Sequence, residues 1–79
     1  MFFVYILKSL KDNKRYIGIT SDLDRRISEH TQGLVKSTRN RRPLILIHTE
    51  FFQTKTEAEQ QEKFYKSGLG RQVLKKLNL

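Results

Sequence analysis

Two tyrosines and a glycine stand at spacings that would let them receive an anionic group. Tyr5 and Tyr16 belong to two short runs rich in aromatic and β-branched residues, and Gly18 interrupts the second run. If the runs pair as a hairpin, all three residues share one face, where hydroxyls would lie beside a spot with no side chain. Spacing alone favours the simpler interpretation, that both are ordinary strand tyrosines with solvated hydroxyls.

Arg26 and His30 lie four residues apart in a segment that predicts a helix, so they share one side of it. The planar guanidinium of Arg26 could hold two phosphate oxygens at once. A surface ion pair with Asp22 or Glu29 fits the same spacing equally well. His30 could transfer protons near neutral pH, or it could be a polar residue favoured by the helix dipole.

Glu62 is the acidic residue with the most informative position. It shares a helix face with Ala58 and Tyr65, so its carboxylate points toward the apolar side, where it needs a cation or hydrogen-bond donors. We therefore expect partial burial rather than only a surface pair with Lys66. The two histidines form no metal-binding pattern, and a single carboxylate holds Mg²⁺ only with help from water and substrate phosphate.

The charge of the chain predicts a polyanionic partner. It carries 16 basic and 8 acidic residues, a formal net charge of +8, and the stretches 34–49 and 63–79 contain basic residues but no acidic ones. Such blocks favour nucleic-acid contact over mere solubility, although a basic ribosomal or membrane-surface protein would look alike. The candidate phosphate contacts are Arg15, Lys36, Arg39, Arg41, Arg42, Lys66 and Arg71.

These residues need one small α+β domain, 1–79, to position them. A chain of 79 residues with 37% hydrophobic content can bury one core. The runs 2–7 and 15–20 predict a hairpin; with the turn centred on Asp12-Asn13, Leu7 would face Gly18 and Tyr5 would face Thr20. The continuous apolar run 44–48, entered through Pro43, predicts a third strand at the centre of the sheet.

The sequence predicts one helix between the second and third strands and two helices after the third strand. Ser21 and Gly33 are a start and a stop for the first helix, and a basic loop covers 36–42. Thr54 opens a second helix through a capping box with Glu57, and Gly68 and Gly70 end it. A short amphipathic helix over about 71–77 would then close the domain, with Val73, Leu74 and Leu77 pointing inward.

Several classes of protein are excluded or disfavoured by what the chain lacks. Without cysteine it has neither disulfides nor thiolate metal sites. The longest apolar runs, 2–7 and 44–47, are far shorter than the roughly 18 residues of a membrane span. The first residues lack the basic region and cleavage site of a secretory signal, so we expect a cytoplasmic protein.

Taken in order, these motifs resemble the GIY-YIG nucleases, specifically the small stand-alone members of the UPF0213 and excinuclease-C N-terminal kind. Val4-Tyr5-Ile6 stands where the family has its first motif, and Tyr16-Ile17-Gly18 matches the second letter for letter. Arg26 falls at the family's catalytic arginine and His30 at its helix histidine. Glu62 falls at the metal-binding glutamate of the small members. The resemblance covers nearly the whole chain.

The resemblance implies a three-stranded antiparallel sheet flanked by about three helices and an endonuclease that uses one Mg²⁺ or Mn²⁺ held by Glu62. It implies that Arg26 neutralises charge on the phosphate. Tyr5 would take a proton from the attacking water, Tyr16 would position that water, and His30 could relay the proton. Because free tyrosine has a pKa near 10, nearby positive charge would be needed to favour a phenolate.

The chain departs from the family pattern at three points. Val4 replaces the first glycine, Ile19 stands where some members carry a lysine, and the late asparagine has no clear counterpart. A DNA endonuclease of low sequence specificity, acting in repair or recombination on branched, damaged or single-stranded DNA, therefore stands beside two alternatives. One is an inactive nucleic-acid-binding module of the same fold, for DNA or RNA; the other is a generic basic interaction protein.

Overall fold

The computed structural model describes all residues, 1–79, and contains one antiparallel sheet and three α-helices. The sheet has three strands in the order β2-β1-β3, so the predicted α+β class is confirmed. A single turn of 3₁₀ helix, Arg39–Arg41, lies in the predicted basic loop. The strands are β1 (Phe2–Ser9), β2 (Arg15–Thr20) and β3 (Leu44–Phe52), and the helices are α1 (Leu23–Thr31), α2 (Lys55–Lys66) and α3 (Gly68–Lys76).

The central strand is β1, and the prediction that the third strand is central is wrong. The four residues 4–7 of β1 are at most 1% exposed, whereas Ile45 and Leu46 of β3 are each 42% exposed. β3 also runs on to Phe52, beyond its apolar run. A continuous apolar run looks the same whether a strand is covered on both sides or lies at an edge, so the sequence could not separate the two cases.

The hairpin of β1 and β2 forms as predicted, but its register differs by two residues. Tyr5 lies opposite Gly18, and Leu7 lies opposite Tyr16. The turn centres one residue earlier than expected, because the Ser9 amide donates to the Lys14 carbonyl at 2.9 Å, closing a loop over 10–13. An even shift leaves every side chain on its original face, so Tyr5, Tyr16 and Gly18 do share one side.

The two faces of the sheet have different coverings. The α2 and α3 helices pack on one face and bury the main hydrophobic core there. The opposite face carries Tyr5 and Tyr16, and it is met by His30 from α1. The core residues are Val4, Ile6, Ile17, Ala58, Tyr65 and Leu74.

The helix ends confirm one predicted cap and correct another. The Thr54 hydroxyl accepts from the Glu57 amide at 3.2 Å, as the capping box predicts. The N-cap of α1 is Asp22 rather than Ser21, since its carboxylate accepts from the Arg25 amide at 3.1 Å. Asp22 and Ser21 are both good capping residues, so composition could not choose between them.

Gly68 and Gly70 lie in the first turn of α3 and do not end α2, contrary to the prediction. Ser67 caps α3, its hydroxyl accepting from the Gly70 amide at 3.1 Å. A side chain at Gly70 would overlap the backbone carbonyl of Phe64, so this glycine allows the close corner between α2 and α3. The α3 helix starts three residues earlier than predicted and ends at Lys76. Leu74 is buried as predicted, but Leu77 is the C-cap and is 57% exposed, so the prediction that it points inward is wrong.

None of the three helices is both long enough and apolar enough for a membrane crossing.

Candidate active site

A buried tyrosine bonded to a buried histidine forms the centre of the site. The Tyr5 hydroxyl lies 2.8 Å from Nε2 of His30, and each residue is 1% exposed. On the other side of the imidazole, Nδ1 lies 2.7 Å from the hydroxyl of Thr38, which is fully buried. His30 is in the last turn of α1, as predicted, but it is enclosed by these partners rather than solvated.

Tyr16 and Gly18 complete the sheet side of this cluster. The Tyr16 ring lies 6.3 Å from the Tyr5 ring and 5.1 Å from the His30 ring, between centroids. Tyr16 is half-buried, and its hydroxyl makes no hydrogen bond to the protein. A Cβ on Gly18 would lie 2.5 Å from the Tyr5 hydroxyl. The glycine thus marks a close approach, as expected, but the group that fills the space is Tyr5 itself rather than a ligand.

Arg26 forms one of the two ion pairs that its spacing allowed, the pair with Glu29, and it also lies beside Tyr5. Its Nη1 lies 3.1 Å from Oε1 of Glu29, so the i,i+3 ion pair is present. The guanidinium is only partly exposed and lies beside Tyr5 without a hydrogen bond of normal geometry to it; this neighbour is the main reason that the pKa of Arg26 is raised. Arg25 also reaches Glu29, at 3.4 Å, but its side chain is 75% exposed.

Burial dominates the protonation of Tyr5. It raises the pKa of the Tyr5 phenol; Arg26 opposes the rise, while Tyr16 and Glu62 add to it. Positive charge is present, as expected, yet it does not outweigh burial, so the phenol is protonated near neutral pH. Burial likewise lowers the pKa of His30, with help from the charge of Arg26, so its imidazole is neutral and can accept a proton.

Glu62 lies on α2, and its negative charge contributes to the raised pKa of Tyr5. Its side chain is 23% exposed, and its Oε2 lies 3.2 Å from Nζ of Lys66, so partial burial and the surface pair occur together. No three acidic or histidine side chains are grouped as a metal site. Because the second oxygen of Glu62 has no hydrogen-bond partner in the protein, the residue fits one divalent ion whose remaining ligands are water and substrate oxygens.

An open cleft of about 570 Å³ lies at the end of β2, between the N-terminal parts of α1 and α2. Of the predicted catalytic residues, Arg26 alone lines it, and Glu59 rather than Glu62 faces it from α2. The structure brings Tyr5, Tyr16, Arg26 and His30 together. Glu62 is close enough for its charge to help raise the pKa of Tyr5. The cleft is lined by Phe2, Ile19, Thr20, Ser21, Asp22, Arg25, Arg26, Glu29, Lys55 and Glu59.

The candidate phosphate contacts do not form one surface. Arg39 and Arg42 line a cavity of about 560 Å³ near Pro43, whereas Arg15 and Arg71 line another of about 530 Å³, and the two share no residue. Arg15 alternates with Tyr16 along β2 and so lies on the opposite face of the sheet. It therefore does not supply the charge that the tyrosines would need.

Several of these cations already have partners within the protein. Arg41 forms an ion pair with Asp12 at 3.2 Å, and Lys66 is held by Glu62. Arg42 donates to the Arg39 carbonyl at 2.9 Å. Lys36, Arg39 and Arg71, by contrast, are exposed, and none of their side chains makes a hydrogen bond or an ion pair within the protein.

A second polar cluster was missed from the sequence. Glu50 of β3 accepts from Gln61 at 2.9 Å and from Tyr65, and it lies 2.7 Å from His48. Burial alone would raise the pKa of Glu50, but these hydrogen bonds outweigh it and lower the pKa. Burial and Glu50 together raise the pKa of Tyr65 to about 12. The alternation of His48 and Glu50 on one strand face was the available signal.

Residues 1–78 match the model of the GIY-YIG catalytic domain. With the antiparallel sheet and the paired tyrosines, this match defines the class: the chain belongs to the GIY-YIG family, a family of nucleases, which implies a nucleic-acid substrate in general. Within that class it is similar to UPF0213 proteins, in sequence and in structure.

Two relatives and one solved structure illustrate this similarity. A UPF0213 protein of Clostridium perfringens is 45% identical over 67 residues, covering 84% of this chain and 71% of that protein. One from Staphylococcus haemolyticus is 40% identical over 74 residues, covering 92% and 89%. The solution NMR structure of a UPF0213 protein from Bacillus halodurans matches with a TM-score of 0.59 at 41% identity, over 98% of this chain and 85% of that chain.

Proposed function

We propose that this protein is a divalent-metal-dependent endonuclease that hydrolyses DNA phosphodiester bonds with little sequence specificity, in DNA repair or recombination. The observation that carries the proposal is the cluster of Tyr5, Tyr16 and His30 with Arg26 beside it, in a chain of a nuclease family. The low sequence specificity is proposed because the candidate contacts are Lys and Arg side chains that would bind phosphate oxygens, and phosphates carry no base identity.

A proton path can be followed from solvent into the sheet. Tyr16, with a free hydroxyl at the partly exposed end of the cluster, would hold the attacking water. Tyr5 lies behind it and would take a proton from that water while its own proton passes to Nε2 of His30, 2.8 Å away. The raised pKa of Tyr5 makes this second transfer necessary, because the phenol is not ionised beforehand.

Charge on the phosphate would be neutralised by Arg26, whose fixed positive charge is already oriented by Glu29 at the edge of the cleft. Glu62 would hold one Mg²⁺ or Mn²⁺, which when bound supplies Lewis-acid polarisation of a phosphoryl oxygen and of the leaving 3′ oxygen. Lys66 would have to release one oxygen of Glu62 or leave the other to the ion.

The proposal is tested by incubating the protein with supercoiled plasmid and Mg²⁺ or Mn²⁺. We expect the wild type to nick or linearise the plasmid, and we expect Arg26→Ala and Glu62→Ala to lose that activity. Arg25→Ala and Glu59→Ala are the matched controls, because each removes a neighbouring charge from the same helix and should retain cleavage.

Two results would contradict the proposal. Absence of cleavage by the wild type, together with tight plasmid binding, would support the inactive binding module instead. Loss of cleavage in Glu59→Ala with full activity in Glu62→Ala would move the metal-binding role to the carboxylate that lines the cleft.

A further inference from the structure

Thr38 occupies a position that its sequence context does not explain. It lies in the basic loop 36–42, among exposed cations, yet it is 0% exposed. Its hydroxyl lies 2.7 Å from Nδ1 of His30, and the only other group bonded to that imidazole is the Tyr5 hydroxyl. A fully buried threonine in a polar loop therefore holds the far side of the ring that contacts Tyr5.

The protons of the two hydrogen bonds that link Tyr5, His30 and Thr38 have two possible arrangements, because a neutral imidazole has one N–H and one bare nitrogen. In the first, the Tyr5 hydroxyl donates to Nε2, and Nδ1–H donates to Thr38. In the second, Thr38 donates to Nδ1, and Nε2–H donates to Tyr5. The two arrangements have opposite consequences, since His30 can accept the Tyr5 proton only in the first.

The surroundings of Tyr5 favour the first arrangement. Its oxygen lies beside the Arg26 guanidinium, which has donors only and cannot accept the phenol proton. Nε2 of His30 is the only hydrogen-bond partner of the Tyr5 hydroxyl, and Nδ1 is likewise the only partner of the Thr38 hydroxyl, so the two ends are distinguished by the Arg26 donor group, which lies beside Tyr5. A phenol is also a stronger acid than an aliphatic hydroxyl, which makes it the better donor of the two.

We propose that Thr38 is a positioning residue that accepts a hydrogen bond from Nδ1–H of His30 and thereby keeps Nε2 free to receive the proton of Tyr5. The arrangement parallels the orienting acid of a catalytic triad, with a neutral hydroxyl in place of the carboxylate. The transfer balances as one proton leaving Tyr5 for Nε2 while another enters Tyr5 from water, leaving an imidazolium held between the two hydroxyls. This inference rests on the proposed function only for its effect on catalysis.

The tautomer of His30 can be measured in the whole chain without metal or nucleic acid. The ¹⁵N chemical shifts of the two ring nitrogens report which one carries the proton, and a His48→Asn variant assigns the signals, since the chain has 2 histidines. We expect a protonated Nδ1 and a bare Nε2 in the wild type and in Thr38→Ser. In Thr38→Val, which keeps the shape but lacks the acceptor, we expect the proton on Nε2.

Cleavage then provides the second measurement. Thr38→Val should lower kcat by about 10²-fold, the lower end of what acid–base catalysis contributes, with KM unchanged, and Thr38→Ser should restore most of it. Thr56→Val, at an exposed position of α2, is the control for the substitution itself. If Thr38→Val does not fold, the wild-type tautomer and Thr38→Ser still decide, because Nε2–H in either would overturn the inference.

The two proposals fail in distinguishable ways. If the His30 tautomer changes between the wild type and Thr38→Val but the wild type cleaves no DNA, the positioning role is supported and the proposed nuclease activity is contradicted. An unchanged tautomer in folded Thr38→Val overturns the positioning role, whatever the cleavage assay shows.

Discussion

The contact between Tyr5 and Gly18 fixes a candidate catalytic side chain against the backbone of the neighbouring strand. We expect Gly18→Ala to be destabilising by about 1–3 kcal/mol, because its methyl group would overlap the Tyr5 hydroxyl and force the ring away from His30. Chemical denaturation of the variant measures the loss. Gly68→Ala is the control: nothing lies within 4 Å of a Cβ there, so it should be neutral or slightly stabilising.

A wild-type stability for Gly18→Ala would mean that Tyr5 has room to move. The account of a ring fixed on His30 would then be wrong.

Glu50 makes stability depend on pH in the acid range. Its folded-state pKa is lowered below the ordinary value of 4.5, so its contribution is complete above that value and disappears as the pH falls through the lower folded-state pKa. We expect Glu50→Gln to flatten the dependence of the unfolding free energy on pH below about 4.5. Urea denaturation at a series of pH values measures this, with Glu59→Gln, an exposed carboxylate on α2, as the control.

An equally steep dependence in Glu50→Gln would assign acid sensitivity to other carboxylates.

At the scale of elements, the start of α1 separates two neighbouring capping candidates. Asp22→Ala removes the acceptor of the Arg25 amide and should cost about 1 kcal/mol of stability. Ser21→Ala should cost little, because the Ser21 side chain makes no hydrogen bond. Thermal or urea unfolding of the two variants measures the difference in stability. A larger loss in Ser21→Ala than in Asp22→Ala would show that Ser21 is the N-cap of α1.

The elements themselves could be predicted from local patterns, but their arrangement could not. Capping residues, the turn at 11–14 and apolar periodicity identify all three strands and helices. Whether β3 is central depends on which strands pair across the chain, and no local pattern encodes that pairing. The burial of Thr38 and the bond from Tyr5 to His30 were likewise invisible, because each depends on how α1 and the loop pack on the sheet.

For the whole molecule, the net charge predicts salt-dependent binding to nucleic acid. If about six phosphates are neutralised, affinity should fall roughly 10³-fold between 50 and 200 mM salt. Because Lys36 has no partner in the protein, Lys36→Ala should lower the slope of log affinity against log salt by about 1. Fluorescence anisotropy with a labelled duplex measures the slope, and Lys63→Ala, at an exposed position outside the candidate set, is the control.

A flat salt dependence in the wild type would argue against nucleic-acid binding altogether.

The central claim is that the Tyr5 cluster hydrolyses phosphodiester bonds, and single-turnover cleavage of a labelled DNA at saturating protein tests it most directly. With Mg²⁺ or Mn²⁺, the wild type should cleave, and Tyr5→Phe should bind equally well but cleave about 10²–10⁴-fold more slowly. Equal rates for the two folded proteins, or no cleavage by the wild type, would contradict the account.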